Sequence, residues 1–404
     1  MARTKEELKG GLRLSDYLSF GILAGIVPRE IILETLKEMN LESERIRKLP
    51  ADLMAYYVIM LSLYSRVHIR EVLRCLLEGY RMLNFGAYGL VAAKSAISKA
   101  RGRLGADFFK RLFEKIARPI AEKETKGAWY KNLRLVGVDG STLDLPDEKR
   151  NASEFGYPSS SRGRSAFPQL RFAGMFEIGT RAIFAVQMGK YKDSEKKLAM
   201  NLIPSLQKDM LCIADRYYMS FEFCKQVLKQ EANFLFRAKK NSVFKCIKEL
   251  EDGSYISEIY PDWTNKRRGT KGIKVRVIEY VLEGKNDEKF ILVTSLLNDK
   301  FAPALNIIAL YHERWEVEIA YDEMKTHLKQ PGDTLRSKTP ELIIQEFYGY
   351  MISHFIIRNV IHRAALKSGR DPDTISFTNT VHVLKRKILS QRVFPLRTLQ
   401  RKNS

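Results

Sequence analysis

Cysteine is scarce in this chain. Of 404 residues only Cys75, Cys212, Cys224 and Cys246 are cysteines, and no two form a CxxC pair. That excludes a disulfide-stapled scaffold and a cysteine zinc site, and it points to free thiols in a reducing compartment. None of the six histidines falls in HxH or HxxxH spacing, which argues against a histidine metal centre. The start, MARTKEELKGG, lacks the apolar core of a signal peptide. Long apolar runs are missing too. LMAYYVIMLSLY is too short to cross a bilayer, and FYGYMISHFIIRNVI is interrupted by His354 and Arg358. The expectation is a soluble cytoplasmic protein with no membrane partner. Acids are in deficit: 69 Lys and Arg stand against 47 Asp and Glu, a formal charge of +22. Such an excess repels itself and calls for an anionic partner, nucleic acid first among them.

What is present divides along the chain. Residues 1–130 carry apolar residues at helical spacing, as in LPADLMAYYVIMLSLYSRVHIREVLRCLLEGY and SAISKARGRLGADFFKRLFEKIARPIAEKE. The reading is an all-α N-terminal domain that binds DNA, with Lys99, Arg101 and Arg103 on a basic helix. From LRLVGVDGSTLDLP the pattern changes to short β-type runs, in the order strand, strand, strand, helix, strand, helix, strand. This predicts the first part of an α/β core over 131–240. Residues 241–305 read as a β-rich insertion subdomain, and its loop TNKRRGTKGIKVR, with Lys266, Arg267 and Arg268, suits a phosphate backbone. Residues 306–365 return to helix as the second part of the core, and 366–404 form a basic helical tail. Arg162 and Arg164 lie in a further basic loop, GYPSSSRGRSAFPQ.

Two acids follow short apolar strands: Asp139 after LRLVGV and Asp215 after MLCIA. Each also suits a turn or a helix cap, and Asp144 and Asp193 compete for any special role. A third acid, Glu318, lies in YHERWEVEIAYDEMK. Taken as one helix at ~100° per residue, with Tyr311 as origin, Arg314 falls at ~300°, Glu318 at ~340° and Lys325 at ~320°. The stripe is flanked by apolar residues on both sides, which marks a half-sunken site. Three carboxylates meeting there would repel unless cations neutralised them, and Mg²⁺ prefers such oxygen ligands. Two ions about 3.5–4 Å apart are the usual device for phosphodiester chemistry.

The spacing Tyr311-x2-Arg314-x3-Glu318-x6-Lys325 resembles the Y-R-E-K signature of the IS-four-type bacterial insertion-sequence transposases. VDGSTLDLPD, with FGYP downstream, is similar to that family's first-acid motif, and IADRYY with FLFRAKKN to its second. LRSKTPELIIQEFYGYM and the N-terminal helical segments resemble the family as well. The resemblance implies a ribonuclease H-like core with a DDE triad of Asp139, Asp215 and Glu318. It implies two Mg²⁺ ions, with Mn²⁺ able to substitute. Asp139 would bridge both ions, Asp215 would hold one and Glu318 the other. Tyr311, Arg314 and Lys325 would grip phosphates. It implies cut-and-paste movement of an insertion sequence through a DNA hairpin. The enzyme would act as a homodimer on double-stranded terminal repeats and target DNA, in the bacterial cytoplasm at the nucleoid. A base flipped near the cut would stack on an aromatic of the insertion, Phe290 or its rival Trp263. The alternatives are a DNA-binding derivative that does not cut, and another two-metal nuclease.

Overall fold

The computed structural model describes residues 21–42, 48–82, 92–160, 163–262, 264, 267–268, 271–282, 288–329 and 331–386. The N-terminal part is helical: α1 (Arg29–Glu38), α2 (Ala51–Leu63), α3 (Ile69–Met82), α4 (Lys94–Leu104) and α5 (Asp107–Ile116). The pattern of α5 explains its packing. Phe108, Phe109, Leu112, Phe113 and Ile116 recur at helical spacing and are all buried. α2 is apolar on every side and is buried on every side.

The next stretch builds the sheet: β1 (Trp129–Tyr130), β2 (Leu133–Asp144), α6 (Lys149–Phe155), β3 (Ser159–Ser160), β4 (Gly163–Arg164), β5 (Gln169–Glu177), β6 (Ala182–Lys190), α7 (Glu195–Met200), β7 (Met210–Ala214), α8 (Phe221–Lys229) and β8 (Asn233–Arg237). Then follow β9 (Lys248–Glu249), β10 (Tyr255–Ile259), β11 (Ile273–Leu282), β12 (Glu288–Thr294), α9 (Ala304–His312), α10 (Trp315–Asp322), α11 (Pro340–Ser368) and α12 (Phe377–Arg386). The main sheet runs β6-β5-β2-β7-β8-β12-β11-β10-β9, with β1 paired to β2. β2 is antiparallel to β5 and parallel to β7, and β7 is parallel to β8. The strands and helices expected from 131 to 240 are found in the expected order, but α6 and the short β3–β4 hairpin, which the sequence reads as loop, stand between β2 and β5. The strands expected between 241 and 305 are also found. They continue the main sheet, because β12 hydrogen-bonds antiparallel to β8.

α11 is the axis of the helical side. Its Gly349 lies against Val58 of α2, Ser353 Oγ donates to the Ile59 carbonyl at 2.8 Å, and Gln345 donates to the Arg101 carbonyl at 2.8 Å. The N-terminal helices, α11 and one face of the sheet therefore share a core, while α7 and α8 cover the other face. Among the described residues no helix is long and apolar enough to cross a membrane.

Candidate active site

The parallel pairing of β2 with β7 ends at Gly137 opposite Ile213. Beyond that point the two strands part, which opens a crevice at the carboxyl end of β7, where open α/β sheets bind their ligands. Asp139 lies there, inside β2 and opposite Gly174 of β5, not past the end of its strand as its sequence reads. Asp215 follows the last residue of β7, as expected. Its Oδ1 accepts the Tyr217 N–H at 2.8 Å, so one carboxylate oxygen also holds a turn.

The stretch Tyr311–Lys325 is not one helix. α9 ends at His312, a tight turn follows in which the Arg314 N–H reaches the Tyr311 carbonyl, and α10 begins at Trp315. After Asp322 the helix widens into a π-helical segment, Glu323–Leu328, which carries Lys325. The uniform helical wheel therefore fails in detail, because π turns advance by fewer degrees per residue. The site forms all the same, because α10 lies directly on β2. A Cβ on Gly137 would overlap Val317, so a glycine there lets the helix approach. The Tyr321 hydroxyl donates to the Asp139 carbonyl at 2.6 Å, and its ring meets Phe172 and Phe176 edge-on.

Charges converge on this crevice. Asp139 is pushed up to about 7, chiefly by burial; the Glu195 and Asp215 charges add to the rise, while the Gly140 N–H and Arg314 oppose it. Arg314 donates to Glu318 at 2.6 Å, so the third acid is tied to its signature neighbour. Burial pushes the Lys325 ammonium down, and the charges of Asp144 and Asp139 counter it. Tyr311 is buried, and its phenol is raised by burial against the opposing charges of Arg314 and Arg237, with Asp215 also acting on it.

The other sequence candidates separate. Asp193 accepts the Lys190 N–H at 2.7 Å and caps a turn, and Asp144 accepts from Gln169 at 2.7 Å. Phe290 is buried, stacked on Tyr280, with the Arg237 guanidinium 3.8 Å over its ring. Arg267 and Arg268 are exposed. Arg162, Lys266 and Trp263 lie outside the described residues, as does the side chain of Arg164. Cys75, Cys212, Cys224 and Cys246 form no disulfide with one another.

Several residues at the site escaped the sequence reading. Glu195 acts on Asp139, but SEKKLA reads as an ordinary helix start, with Ser194 as N-cap. Asp215, Arg216, Tyr217, Lys239, Lys240 and Asn241 line a groove of about 820 Å³. Tyr217 is 49% exposed and Trp315 57% exposed, so both offer ring surface to a partner. The clue was available for the groove: IADRYY and FRAKKN each end a strand, and β7 and β8 are neighbours.

The donors at the crevice are all carboxylate oxygens. Burial first, and then the charges of Glu195 and Asp215, make the ionised form of Asp139 unfavourable, and a hard divalent cation would relieve this. The residue types fit such an ion. Among the described residues no group of three or more acids, histidines or cysteines is already gathered tightly enough to hold one.

Acids at adjacent strands, with Arg314 just before α10 and Lys325 just after it, suit an enzyme of DNA strand cleavage and joining. Residues 131–356 match the transposase DDE domain, and residues 17–114 match the N-terminal region of insertion element 4 transposases. The chain belongs to the IS4-type DDE transposases. It is 25% identical over 370 residues to the transposase InsG for insertion sequence element IS4 of Escherichia coli (strain K12), covering 89% of this chain and 81% of that one. It is also 25% identical over 234 residues to the putative transposase InsZ of the same strain, covering 56% of this chain and 74% of that one. Among solved structures, a cryo-EM piggyBac transposase synaptic complex with hairpin DNA aligns with a TM-score of 0.47 at 13% identity, over 91% of this chain and 79% of that one.

Proposed function

We propose that this enzyme excises and inserts its element by a cut-and-paste route, with Asp139, Asp215 and Glu318 as the acids of a ribonuclease H-like core. The strand order β6-β5-β2-β7-β8, with β2 antiparallel to β5 and parallel to β7, supports that core. One observation carries the assignment: Tyr321 fastens α10 to the Asp139 backbone, and the charges of Arg314 and Lys325 both act on Asp139, while Glu318 is paired with Arg314.

Magnesium ions, with manganese as substitute, would be held by these carboxylates and would supply Lewis-acid activation and charge stabilisation at phosphorus. The chain's own residues do the rest. Glu318 is paired with Arg314. A phosphate entering the crevice competes for that guanidinium and frees the carboxylate for the site. Lys325, half-buried, is a second phosphate contact, and Tyr311 closes the apolar wall beside Asp215. The groove past Asp215 guides the strand with Arg216, Lys239 and Lys240.

Residues 1–130 recognise the terminal repeats, 131–240 and 306–365 form the core, 241–305 form a β-rich extension that faces DNA, and 366–404 form a basic tail. Two copies act on paired ends, one active site for each. Excision passes through a hairpin, and Phe290 receives a flipped base only once Arg237 has withdrawn from its ring. The test is cleavage of a duplex carrying the element's end, with Mg²⁺. Asp139→Asn, Asp215→Asn and Glu318→Gln should each lose nicking and keep DNA binding. Normal cutting by all three overturns the assignment, and binding without metal-dependent nicking by the unmodified protein favours a non-cutting derivative.

A further inference from the structure

Glu195 has no part in the triad, yet it is built into the same crevice. It opens α7, and Ser194 caps that helix by accepting the Lys197 N–H. A Cβ on Gly140 would overlap the carboxyl carbon of Glu195, so the residue after Asp139 must lack a side chain for Glu195 to lie where it does. The fully buried Tyr218, three residues after Asp215, donates its hydroxyl to Glu195 Oε1 at 2.9 Å. Glu195 Oε2 makes no hydrogen bond to any described residue. Two separate devices, a side-chain-free ledge on β2 and a buried phenol on the β7 side, therefore hold this carboxylate between the strands that bear Asp139 and Asp215. An acid that only capped a helix would need neither. Its charge falls on Asp139, Tyr218 and Tyr321, the groups at the floor of the crevice.

We infer that Glu195 is a fourth acid of the cation site, a positioning residue held by Tyr218 and the Gly140 ledge that raises the site's affinity for a divalent ion by adding a negative charge beside Asp139. The inference rests on the reading of Asp139 and Asp215 as the acids that hold the ion. Its physical basis is simple. Each further negative charge close to a partly desolvated ion strengthens that ion's binding, and Oε2 is free to accept from ordered water.

The experiment titrates Mn²⁺ into the full chain, alone and bound to a 30-base-pair duplex as probe, with calorimetry reporting affinity and thermal unfolding reporting the fold. Glu195→Gln keeps the shape and the acceptor for Tyr218 and removes only the charge. It should weaken Mn²⁺ binding at least fivefold, leave the affinity for duplex unchanged and the melting temperature in EDTA no lower, and raise the Mn²⁺ concentration needed for half-maximal nicking in parallel. Glu195→Asp, which restores the charge on a shorter arm, should recover part of the loss. Tyr218→Phe, which frees the carboxylate, should lose two- to threefold. Mn²⁺ affinity unchanged in Glu195→Gln, while Asp139→Asn no longer binds the ion, overturns the role of Glu195 alone. Asp139→Asn binding Mn²⁺ as the unmodified protein does, or an unmodified protein that binds none in either state, overturns the underlying site and this inference with it.

Discussion

Tyr321 of α10 donates its hydroxyl proton to the backbone carbonyl of Asp139 at 2.6 Å. The bond joins the signature helix to the strand that carries the first acid, across 182 residues of sequence. Tyr321→Phe leaves that carbonyl without its donor inside an aromatic cluster with Phe172 and Phe176. The expected cost is about 1–3 kcal/mol in urea unfolding. On the proposed function nicking should fall more than DNA binding, because Arg314 and Lys325 are kept while the height of α10 above Asp139 is no longer fixed.

Asp139 gives the metal-free protein a pH signature. Its carboxyl is raised from 3.8 to about 7, so between these values the native state keeps a proton that the unfolded chain has released. Stability in EDTA therefore falls as the pH rises from about 4 to about 7, and is flat above that range. Asp139→Asn removes the penalty. The variant should be more stable than the unmodified protein by roughly 2–4 kcal/mol at pH 8, with the gap closing near pH 4. Urea unfolding in EDTA across that range is the check, and added Mg²⁺ should narrow the gap at pH 8 by stabilising the unmodified protein.

Gly140→Ala tests the ledge from the other side. The new methyl group meets the flexible end of Glu195, which swings away, so the fold survives with a change within about 1 kcal/mol. Mn²⁺ affinity, read by calorimetry, should drop as it does in Glu195→Gln. The double variant should lose no more than either single one, because both remove the same charge from the same place.

Lys239 and Lys240 are exposed in the groove beside Asp215. Each Lys→Ala change should lower the slope of log K against log[salt] for duplex binding by about 0.9 if the side chain neutralises one phosphate. A slope unchanged in both variants would place the strand elsewhere.

Glu323, at the start of the π segment, is buried against α11. It accepts from Arg358 Nε at 2.7 Å and from Arg181 Nη1 at 3.2 Å. Glu323→Gln leaves the fully buried Arg358 without its counter-charge, while Arg181 retains Glu316 and Asp373. The expected loss is about 3–5 kcal/mol in urea unfolding. The substitution should also loosen the segment that carries Lys325, so DNA affinity should fall although Glu323 itself is buried.

The sequence alone determined the long strands and the two covering helices of the core, because period-two and helical spacing of apolar residues record which face is buried; the short α6 and the β3–β4 hairpin have too few apolar residues to show it. It offered the acids Asp139 and Asp215 and the spacing of Tyr311, Arg314, Glu318 and Lys325 as well, since residue types and spacing are local facts. Only the tertiary structure decided that β2 runs on through Asp139, because strand length depends on β5 lying beside it. The same holds for the π-helical turn under Lys325, the continuation of the sheet from β8 into β12, and the cover of Arg237 over Phe290. Glu195 was hidden for the same reason. Its partners are Gly140 of β2 and Tyr218 of the turn after β7, neither of them a neighbour in sequence, and a carboxylate shows its place in a site only when folding brings other charges to it.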